Sequence, residues 1–314
     1  MSVAHPTNLP ASVKQRLLNI SKHKNIEFNV LLNKYALERL LYRISVSPSR
    51  NRFVLKGALL FWAWEKDFHR TTWDADFLDL ESPSRERLSS AFQTVCKIET
   101  KADGFHFLPE TVQAVEIRGR AAFRGIRINL TGMLGKAKVP LQIDIGYGDA
   151  LVPPPKFIRF PVLLNFPPPR IKACSRETMI AEKFHAAVDL GMRNSRMKDY
   201  FDIFYLSQKY DFKGKDLSRA ICATFQRQET QIPSTPPLGL TPEFCSNPAK
   251  MIQWRSFRRQ ANISLADVNF DELVSIVREF IMPAASATAN GKSFNDYWPP
   301  GGPWTEKGEG DGSL

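Results

Sequence analysis

The chain has 314 residues, enough for one large domain or two ordinary ones with a core each. Hydrophobic residues make up 43% and charged residues 24%, the balance of a soluble globular protein. The departure is a formal charge of +11 with an isoelectric point near 9.5, a basic excess that points to a polyanionic partner because neutralised phosphates release counterions. Cys96, Cys174, Cys222 and Cys245 are scattered, with no Cys-X-X-Cys spacing and no paired histidines, which argues against zinc and against a disulfide framework. The apolar stretch Ala58 to Trp64 is cut by Glu65 and is far shorter than the about 20 residues that cross a bilayer. The start, MSVAHPTNLP, has no apolar signal core, so no membrane partner is expected and a reducing cytoplasm is the expected compartment.

In chain order, Ala11 to His23 and Ile26 to Ser45 read as two helices, the second with Phe28, Leu31, Leu32 and Tyr35 at helical spacing. Ser47-Pro48-Ser49 ends that pair. Phe53 to Leu55 then reads as a short strand leading into a Lys56-Gly57 turn and a helix, an arrangement that can cradle an anion on free amides. Ser84 to Ile98 is a predicted helix. Strands follow at Val112 to Ile117, Gly125 to Met133 and Val139 to Tyr147, with Gly135-Lys136 as a hairpin turn. Leu151 to Pro169, with Pro153-Pro154-Pro155 and Pro167-Pro168-Pro169, reads as an edge strand between rigid connectors. The pattern beyond it is helical, at Arg176 to Leu190, Met197 to Gln208, Leu217 to Arg227, Pro248 to Arg259 and Phe270 to Ile281. The expected organisation is an α+β protein with residues 1–165 as N-terminal helices and a mixed-sheet core, 166–297 as a helical C-terminal domain and 298–314 as a flexible tail, although Tyr297, Trp298 and Trp304 offer aromatic anchors.

Two carboxylates stand out. Asp74 and Asp76 are one residue apart on an apparent strand, so they share a face and can present themselves to one hard cation, while Ala75 and Phe77 turn the other way. Asp79 falls on the opposite face. In Val139 to Gly148, Leu141, Ile143 and Ile145 alternate with Gln142 and Asp144, which puts Asp144 on the polar side. If the two strands are neighbours, three carboxylates converge, the number needed to hold two magnesium ions during phosphoryl or nucleotidyl transfer.

A second charged constellation lies in Glu177 to Leu206. Ile180, Phe184 and Ala187 mark the apolar stripe of a helix, which leaves Lys183 on its flank, while Arg193, Arg196 and Lys198 cluster around the following turn. Cations there suit the charge that grows as pyrophosphate leaves. Asp199 and Asp202, three apart on one helical face, serve either as part of that chemistry or as a salt-bridge network with Arg196 and Lys198 that ties two helices together. No serine sits in a nucleophile elbow, and His5, His23, His106 and His185 have no partners at ligand or relay spacing, while His69, before Arg70 and near the acids, is placed to touch a phosphate; hydrolase triads are set aside.

These residues in this order resemble the AbiEii/AbiGii family of nucleotidyltransferase toxins, the toxin half of type IV toxin-antitoxin and abortive-infection systems. The likeness rests on the Lys56-Gly57 turn, the run Arg70, Thr72, Asp74, Asp76, the strand end Asp144-Ile-Gly-Tyr-Gly-Asp149, and Ala181-Glu182-Lys183 followed by Arg196, Lys198, Asp199 and Asp202. The resemblance implies a polymerase-beta-like nucleotidyltransferase core with a helical C-terminal domain. It implies metal ligation by Asp74, Asp76 and Asp144, catalytic roles for these three with Lys183 and Asp202, and nucleotide contacts at Lys56, Gly57, Arg70, Thr72, Lys183, Arg196 and Lys198. The implied cofactor is Mg2+ at a two-metal site, the implied substrates are an NTP and an RNA, with the tRNA 3′ end the expected acceptor, and a cognate antitoxin protein is the implied partner. Two departures stand out: Ala58 follows Gly57 where the wider motif has a serine, leaving phosphate binding to backbone amides, and Trp73 stands inside the acid motif, where it either stacks on a base or fills the core, with packing the expected role. Modification of a protein or small molecule with an NTP, and a non-catalytic nucleotide- or RNA-binding module, are the competing readings.

Overall fold

In the computed structural model, which describes residues 8–65, 72–81, 83–100, 103–118, 124–261 and 269–306, the first helix opens on Asn8. Its side chain accepts from the Ala11 amide, and Pro10 sits in the first turn, where no amide hydrogen is needed. This helix, α1 (Leu9–Lys24), stops at Asn25 in the left-handed conformation, and α2 (Phe28–Val46) follows. Apolar periodicity predicts both, but α2 is buried on more than its apolar stripe: Lys34, Glu38, Arg39 and Arg43 are buried as well. Arg43 pairs with Asp103 at 2.9 Å and donates to the Phe105 carbonyl at 2.8 Å. Glu38 accepts from the Leu163 amide at 2.7 Å, and Arg39 donates to the Pro167 carbonyl at 3.1 Å. Glu38 and Arg39 of α2 thus fasten the proline-rich connector.

The sheet elements are β1 (Phe53–Lys56), β2 (Asp74–Asp79), β3 (Phe105–Arg118), β4 (Arg124–Leu134), β5 (Ala137–Tyr147), β6 (Lys156–Arg159) and β7 (Arg170–Ala173), with α3 (Leu59–Glu65) after β1 and α4 (Arg85–Cys96) after β2. Their order across the sheet is β3-β4-β5-β2-β1-β7-β6. The sheet is mixed: β2 runs parallel to β5 and β1 parallel to β7, and the other neighbours are antiparallel. Gly135, with φ of +58°, makes the β4–β5 hairpin where the sequence places it. Strand β3 begins at Phe105, well before the predicted Val112, and carries a register shift between Leu108 and Gln113 that interrupts the alternation. Strand β7 lies in none of the predicted strands, because four residues behind a proline run carry little period.

The chain divides into two compact units, residues 1–148 with 156–173, and residues 149–155 with 174–314. Residues 166–173, assigned from sequence to the C-terminal part, belong with the sheet because β7 pairs with β1. The second unit is helical: α5 (Arg176–Leu190), α6 (Met197–Lys209), α7 (Gly214–Arg227), α8 (Pro242–Ser246), α9 (Pro248–Ala261) and α10 (Phe270–Ala289), with a two-stranded ribbon of β8 (Phe212–Lys213) and β9 (Tyr297–Trp298). Helix α10 continues through Pro283 beyond the predicted end at Ile281, and Ala284 and Ala285 behind the proline are fully buried. Trp298 donates to the Ser207 carbonyl and Trp304 to the Phe280 carbonyl, each at 2.8 Å. Residues 298–306 are therefore built into the second unit, and 307–314 lie outside the described residues. Among the described residues no helix is long and apolar enough to cross a membrane.

Candidate active site

The register of the sheet assembles the acids. Asp76 on β2 is the direct partner of Asp144 on parallel β5, of Lys56 on β1 in the other direction, and Asp144 is in turn the partner of Arg127 on β4. Directly paired residues point to one face, so Lys56, Asp76, Asp144 and Arg127 form a row across four strands spaced by about 4.8 Å. Asp74 shares that face two residues back along β2, beside Gln142, which pairs onward with Asn129. Asp79 lies on the opposite face as expected, 2% exposed, with both carboxylate oxygens held by Arg52 at 2.8 and 2.6 Å.

Arg127 is the residue that motif reading missed. Its Nε and Nη2 each lie 2.8 Å from an oxygen of Asp144, a bidentate pair at the half-exposed edge of the row. The Asp144 hydrogen bond above all, and more weakly the charges of Asp74 and Asp76, raise the Arg127 pKa above its ordinary value. A guanidinium therefore already balances part of the acid charge. The signal was present in the alternation of Gly125-Ile-Arg-Ile-Asn-Leu130, which puts Arg127 and Asn129 together on the polar side.

Gly57 has a reason beyond approach to phosphate. Its φ is +71°, and a Cβ built on it would collide with the Asp76 carboxylate, 2.7 Å from Cγ. The turn is thus shaped around Asp76. Helix α3, with Leu59, Leu60, Phe61 and Trp62 buried, serves as packing for the turn. Thr72 Oγ1 stands 3.5 Å from Asp74 Oδ1, at the outer limit of a hydrogen bond. Trp73 precedes β2 and is 46% exposed, so it does not fill the core as expected. Arg70 lies outside the described residues.

Asp74 and Asp76 supply the donor set of a magnesium ion that also takes oxygens from substrate phosphates. Among the described residues, no group of three or more His, Cys, Asp or Glu side chains is arranged to hold a metal ion. Asp144 has both oxygens on Arg127, so it would join Asp74 and Asp76 at a cation only by releasing the arginine.

In the helical unit the second constellation is also assembled, but inward. Lys183 Nζ lies 2.7 Å from Asp199 Oδ1 and 2.9 Å from Asp202 Oδ2, and Arg196 Nε lies 2.6 Å from Asp199 Oδ2. Asp199 is 2% exposed and Asp202 is fully buried. Lys183 is buried rather than on an exposed flank. Lys198, expected in this network, is exposed, while Lys250 of α9 takes part in the turn instead, donating to the Asn194 carbonyl at 2.8 Å. Burial lowers the Lys250 pKa. Asn194 accepts from the Arg196 amide and donates to Tyr200, fixing the approach to α6.

A profile of the family described as nucleotidyl transferase AbiEii toxin, type IV toxin-antitoxin system, matches residues 39–276, a span that contains every acid of both constellations. No curated protein is significantly similar to the chain. Among solved structures, JHP933 from Helicobacter pylori is similar at 13% identity, over 83% of this chain and 92% of that one, with a TM-score of 0.45. A candidate nucleotidyltransferase from H. pylori is similar at 14% identity, over 85% and 97% of the two chains, with the same TM-score. By the extent of the family match, the chain belongs to the AbiEii nucleotidyltransferase toxins of type IV toxin-antitoxin systems.

Proposed function

We propose that the chain moves an NMP from an NTP to the 3′ end of an RNA acceptor, a tRNA, and so blocks translation. The observation that carries this reading is the registered row of Lys56, Asp76, Asp144 and Arg127, with Asp74 on the same face. The 3′-hydroxyl oxygen attacks the α-phosphorus, an O–P bond forms, the bond to pyrophosphate breaks, and the hydroxyl proton passes to a carboxylate of the row and on to water. A magnesium ion at Asp74 and Asp76 would supply charge neutralisation for the triphosphate. Lys56, the Gly57 amide, Thr72 and Arg70 hold the nucleotide in this reading, and Arg127 keeps Asp144 oriented.

Lys183, Asp202, Arg196 and Lys198 enter as the family's later motif. Lys183 and Arg196 form ion pairs with Asp199 and Asp202, so their catalytic part has to be separated from their structural one. An antitoxin is the expected protein partner. The test is incubation of the purified protein with total tRNA, magnesium and each labelled NTP, resolved on a denaturing gel beside Asp74→Ala and Asp76→Ala. Label on tRNA with the parent protein alone is the expected result. Absence of label with every NTP refutes a tRNA acceptor, moves the acceptor to a protein or small molecule, and favours the non-catalytic reading in proportion.

A further inference from the structure

The face that carries the acids continues to the edge of the sheet. On β6, Phe157 pairs in register with Lys172 of β7, which pairs with Val54 of β1, which pairs with Leu78 of β2, two residues beyond Asp76 on the same side. Arg159 and Arg170 are likewise direct partners. Phe157 is 40% exposed, and its ring lies 5.3 Å from the Arg170 guanidinium and 5.7 Å from the Lys172 ammonium. Lys172 is held in place by a 3.0 Å hydrogen bond to the Asn51 carbonyl. Arg159 and Arg170 are exposed on the same face as the ring. An aromatic face bracketed by cations thus stands three strand spacings from Asp76, about 15 Å.

We propose that this patch is the platform for the single-stranded 3′ segment of the RNA acceptor, with one base stacked on Phe157 and its phosphates on Arg159, Arg170 and Lys172. The inference rests on the proposed RNA acceptor and adds where that RNA lies. Exposed aromatics among cations hold single-stranded nucleic acid by stacking and phosphate contact without reading sequence. Val54 and Leu78 between the two are buried, so the few nucleotides that the separation admits pass over the surface beside this row and not along it. A protein strand added to this open edge is the other occupant to consider, and the lysine and arginines along β6 and β7 oppose it, because charged edges resist strand pairing.

The test is fluorescence-anisotropy binding of a short labelled single-stranded oligoribonucleotide, and of total tRNA, without NTP or magnesium. Phe157→Ala is expected to weaken binding about tenfold or more, the worth of one stacked base, while Phe157→Trp retains it. Arg159→Gln with Arg170→Gln is expected to flatten the slope of log affinity against log salt by about 0.7 for each phosphate that is no longer neutralised. All variants are checked for an unchanged melting temperature and unchanged labelled-NTP binding. Equal RNA affinity of Phe157→Ala and the parent, or no RNA binding by the parent, overturns the proposal, and the first result points to a protein at this edge. Because the assay needs no chemistry, weakened binding in Phe157→Ala supports the platform even if no NTP labels RNA, whereas transfer with an unchanged acceptor KM in Phe157→Ala sinks the platform and leaves the reaction standing.

Discussion

Replacing Lys183 with alanine removes the ammonium 2.7 Å from Asp199 and 2.9 Å from Asp202. Lys183 and Arg196 together balance the two aspartates in the parent. In the variant Asp202 loses the ammonium at 2.9 Å, and Asp199 keeps Arg196, whose guanidinium is itself 40% exposed. Breaking a buried pair by removing one partner costs about 3–5 kcal/mol, because the remaining charge is left without compensation. At about 2–4 °C per kcal/mol for a unit of this size, the melting temperature falls by about 10 °C. Differential scanning calorimetry of Lys183→Ala measures this directly. A second variant, Lys183→Met with Asp202→Leu, leaves Arg196 and Asp199 as a neutral pair and is expected to recover at least half of the loss. An unchanged melting temperature in Lys183→Ala would refute the reasoning and free the lysine for a purely catalytic role. The double variant also separates the roles: a folded protein without transfer activity assigns Lys183 or Asp202 to chemistry, which the single variant cannot do.

Gly57→Ala forces a side chain into a turn at φ +71° and against the Asp76 carboxylate; a backbone cost of about 1–2 kcal/mol and near-complete loss of transfer are expected, measured by melting and by the gel assay. Arg127→Gln breaks a pair that is 38% and 22% exposed, so the stability change stays below about 1 kcal/mol. Three carboxylates without a resident guanidinium should then bind Mn2+ more tightly in calorimetry, and an unchanged affinity would count against Arg127 as their counter-charge. Burial lifts the Glu38 pKa to about 7 against the pull of Arg39, from an ordinary value of 4.5. The folded state then binds the proton more tightly than the unfolded chain, so this contribution is fully present below pH 4.5 and is lost as the pH rises through about 7. Glu38→Gln should flatten the fall in chemical-denaturation stability across that window, whose slope from one group is at most about 1.4 kcal/mol per pH unit.

The long elements were legible because each has one apolar face. Alternation in Leu141, Ile143 and Ile145 gives β5, and helical spacing gives α2, α5 and α6. Strand adjacency is a different kind of information. Nothing local in Asp74–Asp79 says that its parallel neighbour is β5, some sixty residues on, and the meeting of Asp76 with Asp144 depends wholly on that pairing. Strand β7 illustrates the complementary failure: Arg170-Ile-Lys-Ala173 is too short to show a period, yet it closes onto β1 in parallel and moves residues 166–173 into the sheet unit.

Charge was the harder part to read, and for one physical reason. Hydropathy patterns treat a lysine as a surface residue, because an isolated charge costs several kcal/mol to bury, on the order of the whole stability of a domain. That argument fails where opposite charges arrive from separate elements. Lys183 on α5 is buried because α6 brings Asp199 and Asp202 to it, and Asp144 is held because β4 brings Arg127. In each case one member alone looks solvent-facing, and only the fold supplies the other. Yet the two clusters differ in what they leave available. Lys183 and Asp202 are shut away from water, so any reaction there must first expose them, whereas Asp74, Asp76 and Asp144 keep partial exposure and a counter-ion at the rim that a cationic ligand can displace. Pairing at half-exposed positions costs little to rearrange, so under the proposed function this row is the one a charged substrate can reach without unfolding. The sheet row therefore has the stronger claim to the chemistry, and the buried cluster to the fold.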